Sequence, residues 1–251
     1  MLELSGLTRR FGGARAVDGV SLRLDPARIT GLIGPNGAGK TTLFNLIAGS
    51  LRPSAGRIRF AGRDISRAPP HRRLALGLGR THQIPRPFGA MTVLENVLVA
   101  AQGQRGERPF ANWFAVRRVA AEERRNVERA RGIIAFLALD RLEAAPAATL
   151  SGGQRKLLEL ARVLMAEPTL ILLDEPAAGV NPTLLETIIG RIRDLHARGI
   201  GFLIVEHNLD LVARLCSEVH VMASGRLLVS GAPEVVMRDA RVVEAYLGGA
   251  A

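Results

Sequence analysis

The chemistry-bearing residues of this chain begin with a glycine-rich segment, GPNGAGKT, at residues 34–41. It follows the G-x-x-x-x-G-K-[ST] pattern, in which successive backbone N–H groups form an anion-binding nest at the start of a helix. Lys40 would reach the β- and γ-phosphates of a nucleoside triphosphate, and the Thr41 hydroxyl would bind Mg²⁺. An apolar run at Ile29–Ile33 precedes the segment and a helix-like stretch at Thr42–Ala48 follows it. This order predicts a nucleoside triphosphate site between a strand and a helix.

A second glycine motif, LSGGQ, occupies Leu150–Gln154. A serine followed by two glycines just before an amphipathic helix predicts another helix start that can bind phosphate. One nucleotide on one chain has little use for two such ends. The pair therefore favours a head-to-tail dimer, in which ATP lies between the Gly34 loop of one copy and the Ser151 loop of the other. Taken alone, the five residues also fit an ordinary capped helix with a Gly-Gly turn.

Two carboxylates, Asp174 and Glu175, directly follow the apolar strand predicted at Leu170–Leu173. Parallel sheets present ligand-binding groups at the carboxyl ends of their strands. An aspartate there would hold the Mg²⁺ that bridges the phosphates, and the next carboxylate would accept a proton from the attacking water. The alternative is an ordinary helix-capping pair.

His207 ends the next predicted strand, in GIGFLIVEH. An imidazole at that place could hydrogen-bond the γ-phosphate and hold Glu175 and the water in register, although a lone histidine at a strand end is usually structural. The other histidines lack such a placement and are interpreted as surface or packing residues; they are His71, His82, His196 and His220.

Size and composition limit the possible classes of protein. The chain has 251 residues, of which 47% are hydrophobic, enough for one large domain or for a core with an inserted subdomain. Its apolar stretches fall far short of the roughly 18 residues that a membrane span needs. The start of the chain does not have the pattern of a secretory signal. Cys216 is the only cysteine, interpreted as a small apolar helix residue, and it points to a reducing cytoplasm.

Positive charge is concentrated in the first part of the sequence. The net charge is +11, and residues 1–80 alone contain 14 basic and 4 acidic side chains. Such a balance could indicate nucleic-acid binding, but the arginines are dispersed along the sequence and aromatic residues make up only 4%. The simplest interpretation is a solvated basic surface. Contact with anionic lipid headgroups is a lesser alternative.

Turn signals and periodicity predict the elements that position these residues. The first 66 residues alternate in short runs and predict an antiparallel sheet. Thr92, with Glu95 three residues later, predicts a capped helix. The strand–helix–strand pattern of residues 170–207 predicts a right-handed crossover in a parallel sheet. Further predicted elements are helices at Ala115–Leu139 and Lys156–Met165, and a hairpin at 218–231 that turns at Ser224-Gly225.

Together these motifs resemble the ATP-binding cassette (ABC) family, in which LSGGQ is the signature motif. The resemblance implies an α/β fold: a P-loop NTPase core with a parallel sheet, an antiparallel β-subdomain and an inserted helical subdomain. It assigns 1–84 and 158–251 to the core with its β-subdomain, and 85–157 to the helical subdomain. The implied cofactors are ATP and Mg²⁺. The resemblance implies that the following residues bind the nucleotide: Phe11, Gly34, Pro35, Asn36, Gly37, Ala38, Gly39, Lys40, Thr41, Thr42, Ser151, Gly152, Gly153 and Gln154.

The resemblance also gives roles to residues that would be unremarkable alone. Gln83 resembles the glutamine that touches Mg²⁺ and water and links the core to the helical subdomain. Phe11 is implied to stack on adenine, and its alternative is a core aromatic. Asn181, in AAGVNP, stands where the family usually has aspartate, which puts the electrostatic part of a cross-dimer contact in doubt.

Within the family, the chain is similar to the larger ATP-binding subunit of branched-chain amino-acid importers. The likeness rests on RTHQIPRPFGAMTVLENVLVAA, AAGVNPTLLETI, VEHNLDLV and VVEAYLG, and it covers nearly the whole chain. Two departures are His82, where that subgroup normally has phenylalanine, and LSGGQRK, where a tyrosine often follows the serine. Urea or amide importers and the lipopolysaccharide-export ATPase have similar cassettes and remain alternatives. A nucleic-acid ATPase and a regulatory cassette with little turnover are more distant ones.

The implied partners are a second ATPase subunit, identical or related, and transmembrane permeases. A periplasmic or extracellular substrate-binding protein would act indirectly, and no nucleic acid is expected. The expected location is peripheral, on the cytoplasmic face of the membrane.

Overall fold

A computed structural model of the chain describes residues 1–82, 85–104, 106 and 115–247. These residues form two compact units. The first comprises residues 1–80, 168–178 and the described residues from 192 onward. The second comprises the described residues of 81–167 together with 179–191. Within the described ranges, no helix combines the length and the apolar character that a membrane span requires.

Ten strands are present in the described residues. In chain order they are β1 (Leu2–Phe11), β2 (Ala14–Leu24), β3 (Ile29–Ile33), β4 (Ala55–Phe60), β5 (Arg63–Asp64), β6 (Leu78–Arg80), β7 (Leu170–Asp174), β8 (Gly201–Val205), β9 (Glu218–Ala223) and β10 (Arg226–Gly231). All belong to the first unit.

The described helices lie between the strands and after the last of them, and three of them follow β6 in succession. They are α1 (Lys40–Ala48), α2 (Pro70–Ala75), α3 (Val93–Leu98), α4 (Val116–Phe136), α5 (Gly152–Met165), α6 (Pro182–Ala197), α7 (Leu209–Leu215), α8 (Pro233–Val236) and α9 (Ala240–Leu247), with short 3₁₀ turns at Asp140–Leu142 and Ala147–Thr149.

The larger sheet of the first unit has the order β10-β9-β3-β8-β7-β6. Its strands β9, β3, β8, β7 and β6 run parallel, and β10 is an antiparallel edge. Every residue of β3, β7 and β8 is buried. This is the burial expected of parallel strands that are covered on both faces, and it explains their continuous apolar sequences. The predicted parallel crossover between residues 170 and 207 is confirmed.

A second sheet is antiparallel, with the order β2-β1-β4-β5. It pairs Leu2 with both Leu24 and Phe60. Leu2 and Leu4 of β1, and Ile58 and Phe60 of β4, enter the core as alternate residues because successive side chains of a strand point to opposite faces. In β2 the buried residues are spaced more widely, since its register with β1 shifts. The antiparallel sheet predicted from the first 66 residues is confirmed, with β3 as the exception that joins the parallel sheet.

The terminal hairpin of β9 and β10 is also confirmed. Ser224 and Gly225 both have positive φ, 48° and 78°. A two-residue turn of the type I′ class requires this conformation at both central positions. The hairpin therefore turns where the sequence predicts.

Two helices of the second unit, α3 and α5, begin at capping boxes. Thr92 Oγ1 accepts a hydrogen bond from the Glu95 N–H, and the Glu95 carboxylate accepts one from the Thr92 N–H, so the predicted capping box of α3 is confirmed. Helix α4 lies within the predicted Ala115–Leu139. Helix α5 begins earlier than predicted, at Gly152, because Ser151 is itself its N-cap and the two glycines form its first turn.

Candidate nucleotide site

The glycine-rich loop leaves the carboxyl end of β3 and enters α1 at Lys40. Gly34 has φ +147° and Gly39 has φ +97°. A Cβ would lie 2.1 Å from the Met222 carbonyl oxygen at Gly34, and 2.2 Å from the Ala16 carbonyl oxygen at Gly39. Only glycine fits both the conformation and the space at these two positions. The loop is therefore held in shape by the neighbouring backbone.

Lys40 lies inside this loop. Its side chain is buried, and Nζ donates hydrogen bonds to the Gly34 oxygen at 2.6 Å and the Pro35 oxygen at 2.9 Å. Burial lowers the pKa of the ammonium group, and the Glu175 carboxylate opposes that shift. An ammonium held by loop carbonyls adds positive charge at the place where inward-pointing N–H groups already favour an anion. The arrangement can bind phosphate.

The other predicted loop residues differ in their exposure. Ala38 is buried, whereas Asn36, Gly37 and Thr41 are exposed. Helix α1 starts at Lys40, ahead of the predicted Thr42, so both threonines lie in its first turn. The N–H groups of a first turn have no partner within the helix. They are therefore available to a ligand.

Asp174 is the last residue of β7 and is 93% buried, its relative exposure being 7%. Arg80, at the end of the neighbouring β6, places one guanidinium nitrogen 3.9 Å from Asp174 Oδ2. The same guanidinium donates to Ser50 Oγ at 2.9 Å and lies over the ring of Phe44. Arg80 is thus oriented by three other groups. No sequence motif predicts a role for Arg80.

Glu175 follows Asp174 in an unusual backbone conformation. Its φ is +47°, in the left-handed region that residues other than glycine rarely adopt. The Glu175 N–H donates to the Val205 oxygen at 2.9 Å, which extends the pairing of β7 with β8 by one residue. Strain of this kind is often found at functional sites, where the surrounding structure imposes it.

His207 follows β8 and meets the same carboxylate. Its Nε2 lies 3.2 Å from Glu175 Oε1, within hydrogen-bonding distance. The predicted juxtaposition of these two side chains at the carboxyl end of adjacent parallel strands is therefore present. Their chemical roles remain predictions.

Glu206 is a residue that the sequence analysis overlooked. It is buried, and its Oε1 accepts a hydrogen bond from the Ala177 N–H at 2.8 Å. Its Oε2 accepts from the backbone N–H groups of His207 at 3.1 Å and Asn208 at 3.3 Å. One carboxylate thus ties together the two loops that carry Glu175 and His207. The sequence signal was a charged residue that directly continues an entirely apolar strand.

Phe11 ends β1 with its side chain 47% exposed, and so the core-aromatic alternative is excluded. The guanidinium of Arg9 lies 4.6 Å from the centre of its ring. An exposed ring with one face on a cation leaves the other face for a planar group. This agrees with the predicted stacking role without testing it.

The signature motif lies in the second unit. Ser151 Oγ accepts a hydrogen bond from the Gln154 N–H, and the Gln154 side chain accepts one from the Ser151 N–H. At Gly153 a Cβ would lie 2.1 Å from Leu184 Cδ2, so a larger residue would displace that leucine. The motif therefore has a structural role as the start of α5, and its Ser and first glycine are exposed.

Two other predicted positions of this unit, Asn181 and His82, have local partners. Asn181 Oδ1 accepts from the Leu184 N–H at 2.9 Å and thereby caps α6. His82 Nδ1 lies 2.9 Å from Glu159 Oε1. Gln83 lies outside the described residues.

The sequence pattern that defines the ABC transporter family matches residues 17–178, which include the Gly34 loop, the Ser151 loop and Asp174. The chain belongs to this family. A second pattern, named for the branched-chain amino acid ATP-binding cassette transporter, matches residues 226–251. The resemblance inferred from the motifs is thereby confirmed.

Individual relatives extend over the whole chain. The probable branched-chain amino acid transport ATP-binding protein LivG of Archaeoglobus fulgidus is 44% identical and covers 99% of this chain and 95% of its own length. The lipopolysaccharide export system ATP-binding protein LptB of Haemophilus influenzae is 36% identical and covers 99% of this chain and 97% of its own length.

A solved structure supports the same assignment. The ADP conformation of MJ1267, an ATP-binding cassette of an ABC transporter, aligns with a TM-score of 0.85 and 40% identity over 99% of this chain and 98% of that one. The predicted fold class, an ABC cassette of the α/β type, is confirmed. As a member of this family the chain is a nucleotide-binding ATPase subunit.

Proposed function

We propose that the chain is the ATP-hydrolysing motor subunit of an ABC importer for branched-chain or related amino acids. The observation that carries the substrate class is the match of residues 226–251 to the branched-chain cassette pattern. The nucleotide chemistry rests on the geometry around Lys40, Glu175 and His207.

ATP fits the loop because the donor set is suited to phosphate. The Lys40 ammonium and the N–H groups at the start of α1 supply positive charge, and the glycines permit close approach. Phe11 is proposed to stack on the adenine ring. The other residues of the Gly34 loop and of the Ser151 loop are proposed to bind the nucleotide, as predicted from the sequence.

The hydroxyl of Thr41 and the carboxylate of Asp174 are oxygen donors of the kind that Mg²⁺ prefers. Among the described residues there is no cluster of three or more carboxylate, histidine or cysteine ligands. Mg²⁺ in phosphoryl-transfer sites needs only one or two protein ligands besides phosphates and water, so this pair is sufficient. When bound, Mg²⁺ neutralises charge on the phosphates. Gln83 is proposed as a further contact.

Glu175 is proposed as the general base that accepts a proton from the attacking water. The strained backbone at Glu175 and its contact with His207 fix the direction of the carboxylate. His207 would hold Glu175 and the water in register, and Glu206 would hold the loops that carry both residues. The step then needs little reorganisation of protein groups.

The Ser151 loop is proposed to complete the site from a second ATPase subunit, identical or related. ATP would draw the two subunits together, and hydrolysis would let them separate. Attached permeases would convert this cycle into alternating access, and a substrate-binding protein outside the cell would deliver the amino acid. The subunit would thus act at the cytoplasmic face of the membrane. Asn181 would retain hydrogen-bonding capacity across the dimer without the charge of an aspartate.

A second candidate is lipopolysaccharide export, because LptB is also similar over the whole chain. The carboxyl-terminal pattern favours amino-acid import. The urea or amide importers, suggested by the sequence resemblance alone, have no such observation in their favour.

The decisive experiment is reconstitution in proteoliposomes of the chain with candidate permeases and a candidate amino-acid-binding protein from the same organism. We expect leucine, isoleucine or valine, presented with the binding protein, to stimulate ATP hydrolysis and to accumulate inside. The Glu175→Gln variant serves as the hydrolysis-deficient control. Stimulation by urea alone, or ATP-dependent release of lipopolysaccharide, would refute the proposed substrate class.

A further inference from the structure

A cation-lined cleft lies in the first unit, beside β4 and α2. It has a volume of about 610 Å³, within the range of small-molecule sites. Its lining includes Arg57, Asp64, Ser66, Arg67, Ala68 and Arg72. Three of the chain's arginines, Arg57, Arg67 and Arg72, thus line one cavity.

Arg57, Arg67 and Arg72 are all exposed. In the described ranges, none of the three side chains forms a hydrogen bond or an ion pair. Each guanidinium carries five N–H donors in a planar fork that matches phosphate oxygens. Three such groups around one open cavity are therefore available to a ligand with several negatively charged oxygens.

The carboxylate in the lining is already engaged. Asp64 Oδ1 accepts hydrogen bonds from the Ser66 N–H at 2.8 Å and the Ser66 hydroxyl at 2.6 Å. The two Ser66 bonds, and then the charges of Arg57 and Arg59, lower the pKa of Asp64. It stays ionised at neutral pH, so three arginines and one aspartate leave an excess of positive charge in the cleft.

Arg73 lies behind the lining of the cleft and hydrogen-bonds to the backbone of two lining residues, Ser66 and Ala68. It is buried, with a relative exposure of 1%, and it donates to the Ala68 oxygen at 2.9 Å and the Ser66 oxygen at 3.4 Å. Burial lowers the pKa of Arg73 to about 10, so the group is still charged at neutral pH. Its charge adds to the positive potential, and its hydrogen bonds hold the loop of residues 66–68 in place.

We propose that this cleft binds a phosphate-bearing anion at a site separate from the nucleotide loop. Arg57, Arg67 and Arg72 would donate hydrogen bonds to two or more phosphate oxygens of the ligand. A phosphate-bearing metabolite and an anionic phospholipid headgroup both have this chemistry. Nucleic acid is disfavoured because none of the described residues that line the cleft is aromatic and could stack on a base.

The test titrates the full chain, saturated with MgADP so that the nucleotide loop is filled. Inorganic pyrophosphate is the soluble probe, measured by calorimetry. Phosphatidylglycerol vesicles are the lipid probe, measured by co-sedimentation against phosphatidylcholine vesicles. We expect the triple variant R57Q/R67Q/R72Q to weaken binding at least about tenfold, since charge-assisted hydrogen bonds to three groups are lost.

Two further variants make the result specific. Asp64→Asn retains the acceptor for Ser66 but removes a negative charge, and so we expect it to tighten binding. The triple R117Q/R124Q/R238Q changes three exposed arginines elsewhere and should bind like the wild type. Binding of pyrophosphate identifies a soluble ligand, and binding of phosphatidylglycerol vesicles alone identifies a headgroup.

The proposal is overturned if neither probe binds, if both arginine triples lose affinity equally, or if Asp64→Asn weakens binding. Thermal unfolding of each variant shows whether it is folded. Because the nucleotide loop is filled throughout, none of these outcomes bears on the proposed transport function.

Discussion

His207 Nε2 and Glu175 Oε1 lie 3.2 Å apart, although the residues come from loops that follow two different strands. The distance is set by the parallel pairing of β7 with β8, which ends with Asp174 opposite Val205. Glu206 then ties the two loops through hydrogen bonds to the Ala177 and His207 N–H groups. The sheet register, rather than side-chain flexibility, therefore brings the Glu175 carboxylate and the His207 imidazole together.

Replacing Glu175 by glutamine should separate binding from turnover. Glutamine preserves the shape but cannot accept the proton, so we expect ATP binding to persist while turnover falls by roughly 10²–10⁴. Equilibrium binding of a fluorescent ATP and single-turnover hydrolysis measure the two effects. Glu234→Gln, on the exposed side of α8, is the matched control. Turnover of Glu175→Gln near the wild-type rate would remove Glu175 from the role of base.

The contact between His207 and Glu175 predicts non-additive kinetics. If His207 acts by holding Glu175, then its substitution by alanine matters only while the carboxylate is present. We expect His207→Ala to slow turnover strongly in the wild type and to slow Glu175→Gln little further. A double-mutant cycle of single-turnover rates measures this. Independent, multiplicative losses would mean that His207 acts without Glu175.

The sequence predicted the main features of this site because they are local. The Gly34 loop and the Asp174-Glu175 pair are each defined by residues that adjoin in the chain. Their convergence follows from one rule, that parallel strands present their carboxyl ends at one edge. The capping box at Thr92 was likewise predicted, since it depends on residues three positions apart, whereas the one that Ser151 forms with Gln154 was not, and the helix was placed from Lys156 instead.

What the sequence did not predict depends on distant contacts. Arg80 reaches Asp174 from a neighbouring strand, and nothing adjacent in the sequence indicates that pairing. The positive φ of Glu175 arises from pairing with Val205, which follows thirty residues later. The cleft of Arg57, Arg67 and Arg72 is lined from β4, from α2 and from the segment between them, and no sequence motif indicates that these arginines face one cavity.

Lys40→Ala should abolish nucleotide binding itself. The ammonium supplies charge to the loop and also binds the Gly34 and Pro35 oxygens, so its removal disturbs both the field and the shape of the nest. Fluorescent ADP titration measures the loss. Lys156, the only other lysine, lies on α5, and Lys156→Ala is the matched control. Retained ADP affinity in Lys40→Ala would contradict the assigned role of the loop.

The buried thiol of Cys216 should make the free energy of unfolding depend on pH in the alkaline range. Burial raises the pKa of its thiol to about 12. In the unfolded chain a thiol ionises near pH 8.5, so between these values the unfolded state binds fewer protons. The free energy of unfolding should therefore fall as the pH rises through this range.

Comparison of wild type with Cys216→Ala by urea denaturation between pH 8 and 10 measures the contribution of the thiol. The wild type should lose more stability than the variant over that interval. Alkylation of Cys216 at pH 8 should be slow in the native protein and fast in urea. Rapid alkylation of the folded chain would show that the thiol is accessible.

Ser151→Ala should weaken an ATP-driven dimer more than the loss of a helix cap explains. Ser151 and Thr92 each form a capping box, so replacement of either by alanine should cost about 0.5–2 kcal/mol of stability. Thr92→Ala is thus a control with the same local defect outside the signature motif. If Ser151 also binds the nucleotide of the second subunit, only its loss should impair association.

The measurement uses light scattering with saturating Mg-ATP, and both substitutions are made in the Glu175→Gln background so that the nucleotide persists. We expect dimers for Glu175→Gln and for its Thr92→Ala derivative, and monomers for its Ser151→Ala derivative. Equal dimerisation of the two derivatives would limit Ser151 to capping α5. Monomers of Glu175→Gln itself, even with a companion ATPase subunit added, would refute the shared nucleotide site, because that site requires each subunit to complete the other's.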